Sequence, residues 1–122
     1  MNDSFRRAVE AQDVDAMAAA LAPDVVFRSP IVFRPYEGRE AVMGLLSLVA
    51  QVFADFRYVD ELHGDGTTCL LFRARVGDRE LEGLDYLRHG PDGLVSELTV
   101  MVRPLSGAHA LAGAMEAKLE AR

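Results

Sequence analysis

Asp85 is the residue of this sequence whose type and surroundings most directly suggest chemistry. It lies in the stretch GLDYL, residues 83–87, where small and apolar neighbours give the pattern of a β-strand. Aspartate is rare in strands and is costly to bury without a partner, so Asp85 either points into water or has a role inside the protein. The direction of its side chain therefore decides whether it can act on a ligand.

The turn Gly77-Asp78 predicts that direction. These residues separate two alternating runs, as in a two-residue hairpin loop, and such a loop fixes the pairing of the strands that it joins. Counted back from the turn, Leu70 faces Asp85 on the apolar side of the hairpin, so Asp85 points inward. A bulge after Gly77 would slip the pairing and reverse this conclusion. The opposite side carries two charge pairs, which are Arg75 with Glu80 and Arg73 with Glu82.

An inward Asp85 has two alternative roles. In an apolar pocket a carboxyl group loses hydration, which raises its pKa and favours the neutral acid, a hydrogen-bond donor suited to catalysis. Alternatively, Asp85 is structural and is hydrogen-bonded to Tyr58, Ser29 or a buried water. The residue types do not separate these roles, so Asp85 is the candidate catalytic residue with a structural alternative.

The same alternation predicts the wall of a pocket around Asp85. Gly83 faces Phe72 across the hairpin, and a missing side chain in a strand often marks the close approach of another group, so we expect ligand space there. The neighbouring inward positions are mostly apolar or aromatic. The expected pocket-lining residues are Phe27, Ser29, Phe56, Tyr58, Leu70, Phe72, Gly83, Leu98 and Val100.

No residues are spaced as metal or cofactor ligands. His63, His89 and His109 fall in two turns and the last helix, with no Cys or carboxylate at ligand spacing. The glycine-rich turns lack the lysine and the strand-to-helix context of a phosphate-binding loop. We therefore expect neither a metal nor a cofactor.

Periodicity and turn residues predict the elements that hold these positions. A helix begins with Asp3 or Ser4 as its cap, bends near Asp13 and ends at Pro23, and a short strand follows. A buried helix and an antiparallel meander come next. Ser106 then caps a last helix with an apolar stripe on one side. That stripe contains Ala108, Leu111, Met115 and Leu119.

The order of helix, strand, helix, four strands and helix predicts one α+β domain over residues 1–122, with helices on one face of a curved antiparallel sheet. No apolar run reaches the eighteen or so residues that cross a bilayer, so we expect a soluble protein without a membrane partner. A net charge of −6 without a Lys/Arg cluster argues against nucleic acid. Because a secretory signal pattern is missing and Cys69 is the single cysteine, we expect a cytoplasmic location.

The G-R-E that opens the middle helix and the run G-x-D-x-x-R-x-x-x-D-G, residues 83–93, add a family resemblance. Together with the order of elements, they resemble the nuclear transport factor 2-like superfamily, and within it the SnoaL-like domains, over residues 4 to 104. The resemblance implies a cone, in which a curved sheet surrounds a pocket with helices at its mouth. It also implies frequent dimerisation through the outer sheet face.

The resemblance implies ketosteroid isomerases, polyketide cyclases and limonene epoxide hydrolases among the relatives. The isomerases use an Asp base with a Tyr and a protonated Asp. Asp85 falls at the position of the protonated Asp, whereas Ser29 stands where the base lies and Phe5 where the Tyr lies. Gly83 stands where the hydrolases have an arginine, and the last strand lacks the carboxylate that the hydrolases and the cyclases have there. A complete known catalytic set is therefore not expected.

Two functions remain open. The first is a domain that binds a small apolar ligand without chemistry. The alternative is a single-acid isomerase or a polyketide-cyclase-like enzyme that acts on an apolar carbonyl compound through Asp85.

The outer sheet face and the loop before the middle helix complete the expectations. The outer face mixes charged pairs with apolar residues and suits a twofold homodimer. Phe33 and Tyr36 lie in the loop and either fringe the pocket mouth or cover the core, and we favour the second. The stripe of the last helix needs cover from its own cone or from a partner subunit. The expected outer-face apolar residues and their polar neighbour are Leu71, Leu84, Tyr86, Val95, Met101 and Thr99.

Overall fold

The computed structural model describes residues 3–121 as four helices and six strands. In chain order these are α1 (Ser4–Ala11), α2 (Val14–Ala20), β1 (Leu21–Arg28), β2 (Tyr36–Glu37), α3 (Arg39–Val52), β3 (Ala54–Gly64), β4 (Thr67–Val76), β5 (Arg79–His89), β6 (Val95–Arg103) and α4 (Leu105–Glu120). The order confirms the predicted α+β fold. None of the helices in this range is long and apolar enough to cross a bilayer.

The six strands form one curved sheet in the order β2-β1-β6-β5-β4-β3. The segment from β3 to β6 is the expected antiparallel meander. β1 precedes α3 and the meander, and it pairs in parallel with β6, so the sheet is mixed. The concave face of the sheet and the helices enclose the core and leave a cavity between them.

The N-terminal helix is bent where the sequence predicts. Gln12 adopts a left-handed φ of 55°, and the Asp13 side chain accepts a hydrogen bond of 3.0 Å from the Ala16 amide to begin α2. The helical segment ends earlier than Pro23, because β1 already begins at Leu21. Leu21 is fully buried in the core, so packing of this residue against the sheet decides the boundary.

The β4–β5 hairpin has the predicted pairing. Gly77 adopts a φ of 57°, which the first position of a tight hairpin loop requires, and Leu70 lies opposite Asp85. Arg73 pairs with Glu82 as expected, with 3.6 Å between Nε and the carboxylate. Arg75 does not bond to Glu80 and instead forms an ion pair of 2.8 Å with Asp55 at the start of β3.

Val95 corrects the expected outer face. The pairing of β5 with β6 shifts between Arg88 and His89, so that Glu97 lies opposite Arg88 whereas Val95 lies opposite His89. The shift leaves one extra residue in β6 and turns the start of the strand over. Val95 therefore lies in the core, almost fully buried, and not on the outer face.

α4 packs against its own chain. It begins at Leu105, so its cap position is Pro104, which makes no side-chain capping bond, and the predicted cap Ser106 lies inside the first turn. Gly107 lies so close to Leu81 of β5 that an added Cβ would be 2.7 Å from the Leu81 Cβ. The apolar side of α4 thus covers one end of the cavity in the same subunit, with Leu111 buried in the core.

Candidate ligand-binding site

A cavity of about 990 Å³ lies between the concave sheet face and all four helices. Its wall is mainly apolar, and its volume lies at the upper end of the range of pockets that enclose small organic molecules. Seven of the nine sequence-predicted lining residues and Asp85 lie on this wall. The seven are Phe27, Ser29, Phe56, Tyr58, Phe72, Leu98 and Val100.

Leu70 and Gly83 lie outside this wall. Leu70 is buried in the core. At Gly83 an added Cβ would lie 2.6 Å from Cζ of Phe72 and would also collide with the carbonyl oxygen of Met101. The missing side chain therefore makes room for the Phe72 ring and the neighbouring strand, and not for a ligand. Phe72 itself forms part of the cavity wall in front of Gly83.

Asp85 points inward and is hydrogen-bonded to Tyr58. Only 8% of Asp85 is exposed, and the Tyr58 hydroxyl donates a bond of 2.7 Å to its Oδ2. Within residues 3–121, every side-chain nitrogen or oxygen atom that is shut off from solvent has a hydrogen-bond partner. Oδ1 of Asp85 has no hydrogen-bond partner in this range, so it is not one of the atoms that are shut off. Oδ1 is therefore open to the cavity that Asp85 lines.

Burial controls the ionisation of this pair. Desolvation raises the pKa of Asp85 to about 7, against the smaller opposing effect of the Tyr58 hydrogen bond. Burial and the neighbouring carboxylate also raise the pKa of Tyr58, so the phenol stays neutral and continues to donate. When Asp85 is neutral, Oδ2 keeps the bond from Tyr58 and Oδ1 can carry the proton toward the cavity.

An aromatic cluster forms the cavity wall next to Asp85. The ring of Phe56 meets Tyr58 edge-on with centroids 5.0 Å apart, and it lies 5.0 Å from Phe72. Phe53 stacks on Phe56 with centroids 5.6 Å apart and lies 5.7 Å from Phe72. These rings fix the position of the phenol and give a ligand a flat apolar surface.

Arg6 holds α1 over this cluster. Its guanidinium lies 5.5 Å from the Tyr58 ring centroid and forms an ion pair of 2.9 Å with Glu61 of β3. Sequence reasoning missed Arg6, because only the tertiary fold brings α1 and β3 together. It also missed the helical part of the wall, which the apolar stripes of the helices already indicated. The missed helical residues include Phe5, Val9, Met17, Met43, Leu46, Val49, Leu111 and Met115.

Ser29 faces the cavity but uses its hydroxyl in the loop before β2. The oxygen accepts hydrogen bonds from the amides of Ile31 (3.1 Å) and Val32 (2.9 Å). Of the partners considered for Asp85, the structure shows Tyr58 and not Ser29. In the same loop Phe33 is 100% exposed, so it does not cover the core as expected. Tyr36 lines the cavity and lies 6.3 Å from the Phe27 ring.

The histidines lie away from the cavity. His63 contacts Glu61 through Nε2, and Thr68 bridges the ring nitrogens of His63 and His89 at 3.4 and 3.3 Å. Across residues 3–121 no three His, Cys, Asp or Glu side chains are grouped to hold a metal ion.

Solved structures of similar proteins have this fold and align with almost the whole of this chain. The sequence model of the SnoaL-like domain family matches residues 3–103. A solved structure described as a steroid delta-isomerase from Pseudomonas aeruginosa is 40% identical with a TM-score of 0.91, over 96% of this chain and 87% of that one. An uncharacterised protein with a cystatin-like fold from Silicibacter pomeroyi is 31% identical with a TM-score of 0.91, over 98% and 87%. No significant match occurs among curated proteins.

Proposed function

Because the chain belongs to the SnoaL-like domain family, we propose that it binds a small apolar molecule carrying a carbonyl oxygen. The neutral carboxyl of Asp85 donates a hydrogen bond to that oxygen. The observation that carries this proposal is the open Oδ1 of a buried acid on the wall of a large apolar cavity. The family match over residues 3–103 confirms the resemblance to SnoaL-like domains that the sequence indicated over residues 4 to 104.

The cavity combines a large apolar wall with the buried acid Asp85, and this combination supports the choice of ligand. Apolar walls provide affinity through desolvation, whereas a small number of polar groups orient the ligand. A carboxyl group with a pKa of about 7 is largely neutral below pH 7 and then donates a proton to an acceptor oxygen. An apolar ketone supplies that acceptor without a charge of its own.

Binding of a 3-oxo steroid and of the matched 3-deoxy steroid, measured by calorimetry from pH 5 to 8, tests the proposal. The wild type should prefer the ketone below pH 7 and lose this preference as Asp85 ionises. Asp85→Asn should keep the preference at every pH, because its amide also donates, and Asp85→Leu should abolish it. Equal affinity for both steroids at pH 5, or binding of neither, would exclude the proposal.

A single-acid isomerase is the second candidate, and the 40% identity with the structure described as a steroid delta-isomerase favours it. In this scheme the ionised carboxylate of Asp85 takes a proton from the carbon next to the carbonyl and returns it to another carbon of the same molecule. Two features oppose it. The Ser29 hydroxyl is engaged by the loop backbone, and Phe5 has no hydroxyl to donate.

An isomerase assay separates the two candidates. Isomerisation of a 5-ene-3-oxo steroid brings its carbon–carbon double bond into conjugation with the carbonyl group, which raises the ultraviolet absorbance. Turnover that is lost in Asp85→Asn would support the isomerase. Ketone binding without turnover, in a wild type that stays folded, would leave ligand binding as the function.

A further inference from the structure

Exposed apolar side chains gather at the mouth of the cavity. The mouth loop, residues 29–35, carries Ile31 and Val32, each more than two-fifths exposed, and the fully exposed Phe33. Ile31 and Val32 also line the cavity, as do the exposed Val14 of α2 and Leu119 of α4. The opening is therefore bordered by apolar groups that water solvates poorly.

The mouth loop is held in this exposed form. The Ser29 hydroxyl accepts hydrogen bonds from the Ile31 and Val32 amides, and Pro30 and Pro35 restrict the backbone on either side. Because the loop is already ordered, insertion of its tip into an apolar phase requires little further loss of conformational entropy.

Two arginines flank the apolar tip. Arg28 ends β1 and Arg34 follows Phe33, and both are exposed. Neither forms an ion pair or a side-chain hydrogen bond with any residue in the described range 3–121. An apolar tip between two free guanidinium groups matches a lipid interface, where the tip enters the acyl boundary and the cations meet phosphates.

We propose that the mouth loop docks the protein reversibly on an anionic lipid surface, with the cavity opening at the interface. Carboxylates of Asp55 on β3 and of Glu116 and Glu120 on α4 also border the cavity, so the docking contact is confined to the loop. Docking adds a source for an apolar ligand but does not rest on ligand binding. The sequence expectation of no membrane partner rests on the lack of an apolar run long enough to span a bilayer, and the proposed loop contact departs from that expectation.

The size of the tip favours a lipid surface over a protein partner. A stable protein interface buries about 800 Å² on each side and is formed by roughly 20 to 30 residues. Three consecutive apolar residues form a much smaller and more convex contact, whereas single inserted aromatic and aliphatic residues do contribute to lipid binding.

The chain has no tryptophan, so Phe33→Trp provides a single fluorescent reporter. Added phosphatidylcholine vesicles with one quarter phosphatidylglycerol should shift its emission to the blue. Lipids brominated in the acyl chain should quench it. Tyr86→Trp on the outer sheet face is the matched control and should show neither change.

Charge variants in the Phe33→Trp background test the arginines. Arg28→Gln and Arg34→Gln should each weaken partition onto the anionic vesicles by about fivefold, and Arg79→Gln in the distant hairpin turn should not. In the otherwise unchanged chain, Phe33→Asp should lower cosedimentation at least tenfold. Emission that does not change when vesicles are added would overturn the proposal. A blue shift that appears without lipid and grows with protein concentration would also overturn it, because such a shift indicates self-association or a protein contact.

Discussion

The hydroxyl of Tyr58 on β3 reaches across β4 and donates a hydrogen bond of 2.7 Å to Oδ2 of Asp85 on β5. The bond gives Asp85 a structural partner while leaving Oδ1 open to the cavity. The two roles that the sequence left as alternatives are therefore compatible. A structural bond at one oxygen fixes the direction in which the other can act.

Asp85→Asn should change how stability depends on pH. The pKa of Asp85 is about 7 in the folded protein and ordinarily 3.8, so the folded state binds more protons between these values. The free energy of unfolding of the wild type should then fall as pH rises from about 4 to 7, by up to about 1.4 kcal/mol per pH unit. The Asn variant lacks this slope, and Tyr58 can still donate to its carbonyl oxygen.

Urea unfolding at pH 4 to 8 measures this difference, with the exposed Asp78→Asn as a control that should follow the wild type. Parallel curves for wild type and Asp85→Asn would show that Asp85 ionises normally.

Tyr58→Phe should raise the pKa of Asp85 further, because the lost hydrogen bond is the interaction that lowers it. The change should also cost about 1 to 2 kcal/mol of unfolding free energy. Carbon-13 NMR of the Asp85 carboxyl gives the titration midpoint directly. Tyr36→Phe removes a hydroxyl at the same cavity without touching Asp85 and should leave the midpoint unchanged; a midpoint that moves equally in both variants would contradict the assignment.

Two glycines of α4 provide a matched pair. At Gly107 a Cβ would meet Leu81 at 2.7 Å, so Gly107→Ala should push α4 off the sheet, cost about 1 to 3 kcal/mol and increase binding of a hydrophobic dye. At Gly113 nothing lies within 4 Å, so Gly113→Ala should stabilise the helix by about 0.5 to 1 kcal/mol. Thermal unfolding of both variants checks this, and equal effects would show that α4 does not need the close contact.

We propose a twofold dimer through the outer sheet face, where Leu62, Tyr86 and Met101 are exposed. Light scattering at micromolar concentration should give twice the mass of one chain, and Tyr86→Lys should shift the protein toward the monomer. Val14→Lys introduces the same charge at the cavity mouth and should leave the dimer intact. A monomeric wild type would remove this interface.

The inward direction of Asp85 could be predicted because it depends on a local rule. A two-residue loop at Gly77 and Asp78 permits one pairing, and every later position of the hairpin follows from it. Val95 could not be placed in the same way, because the turn before β6 is longer and the β5–β6 pairing slips by one residue. Alternation predicts a face only as far as the nearest bulge.

The remaining errors arise from contacts between distant segments. Arg75 lies directly opposite Glu80, yet it forms its ion pair with Asp55 at the start of β3. The sequence of the hairpin alone cannot predict this contact. Arg6 lies over Tyr58 for the same reason. For Phe33 the sequence leaves the pocket mouth and cover of the core as alternatives, and the favoured second one is wrong because a turn held by Ser29 leaves the ring fully exposed. About half of the residues that line the cavity lie in helices, and the alternation of strand residues does not predict them.

The parallel pairing of β1 with β6 has a consequence for the time course of synthesis. The two strands are about 70 residues apart, and until β6 emerges β1 can pair only with the two residues of β2. Closing so long a segment is entropically costly before its contacts form. A nascent chain that ends before residue 95 therefore leaves backbone N–H and C=O groups on one edge of β1 unpaired, and the sheet becomes complete only after residue 103 has left the ribosome.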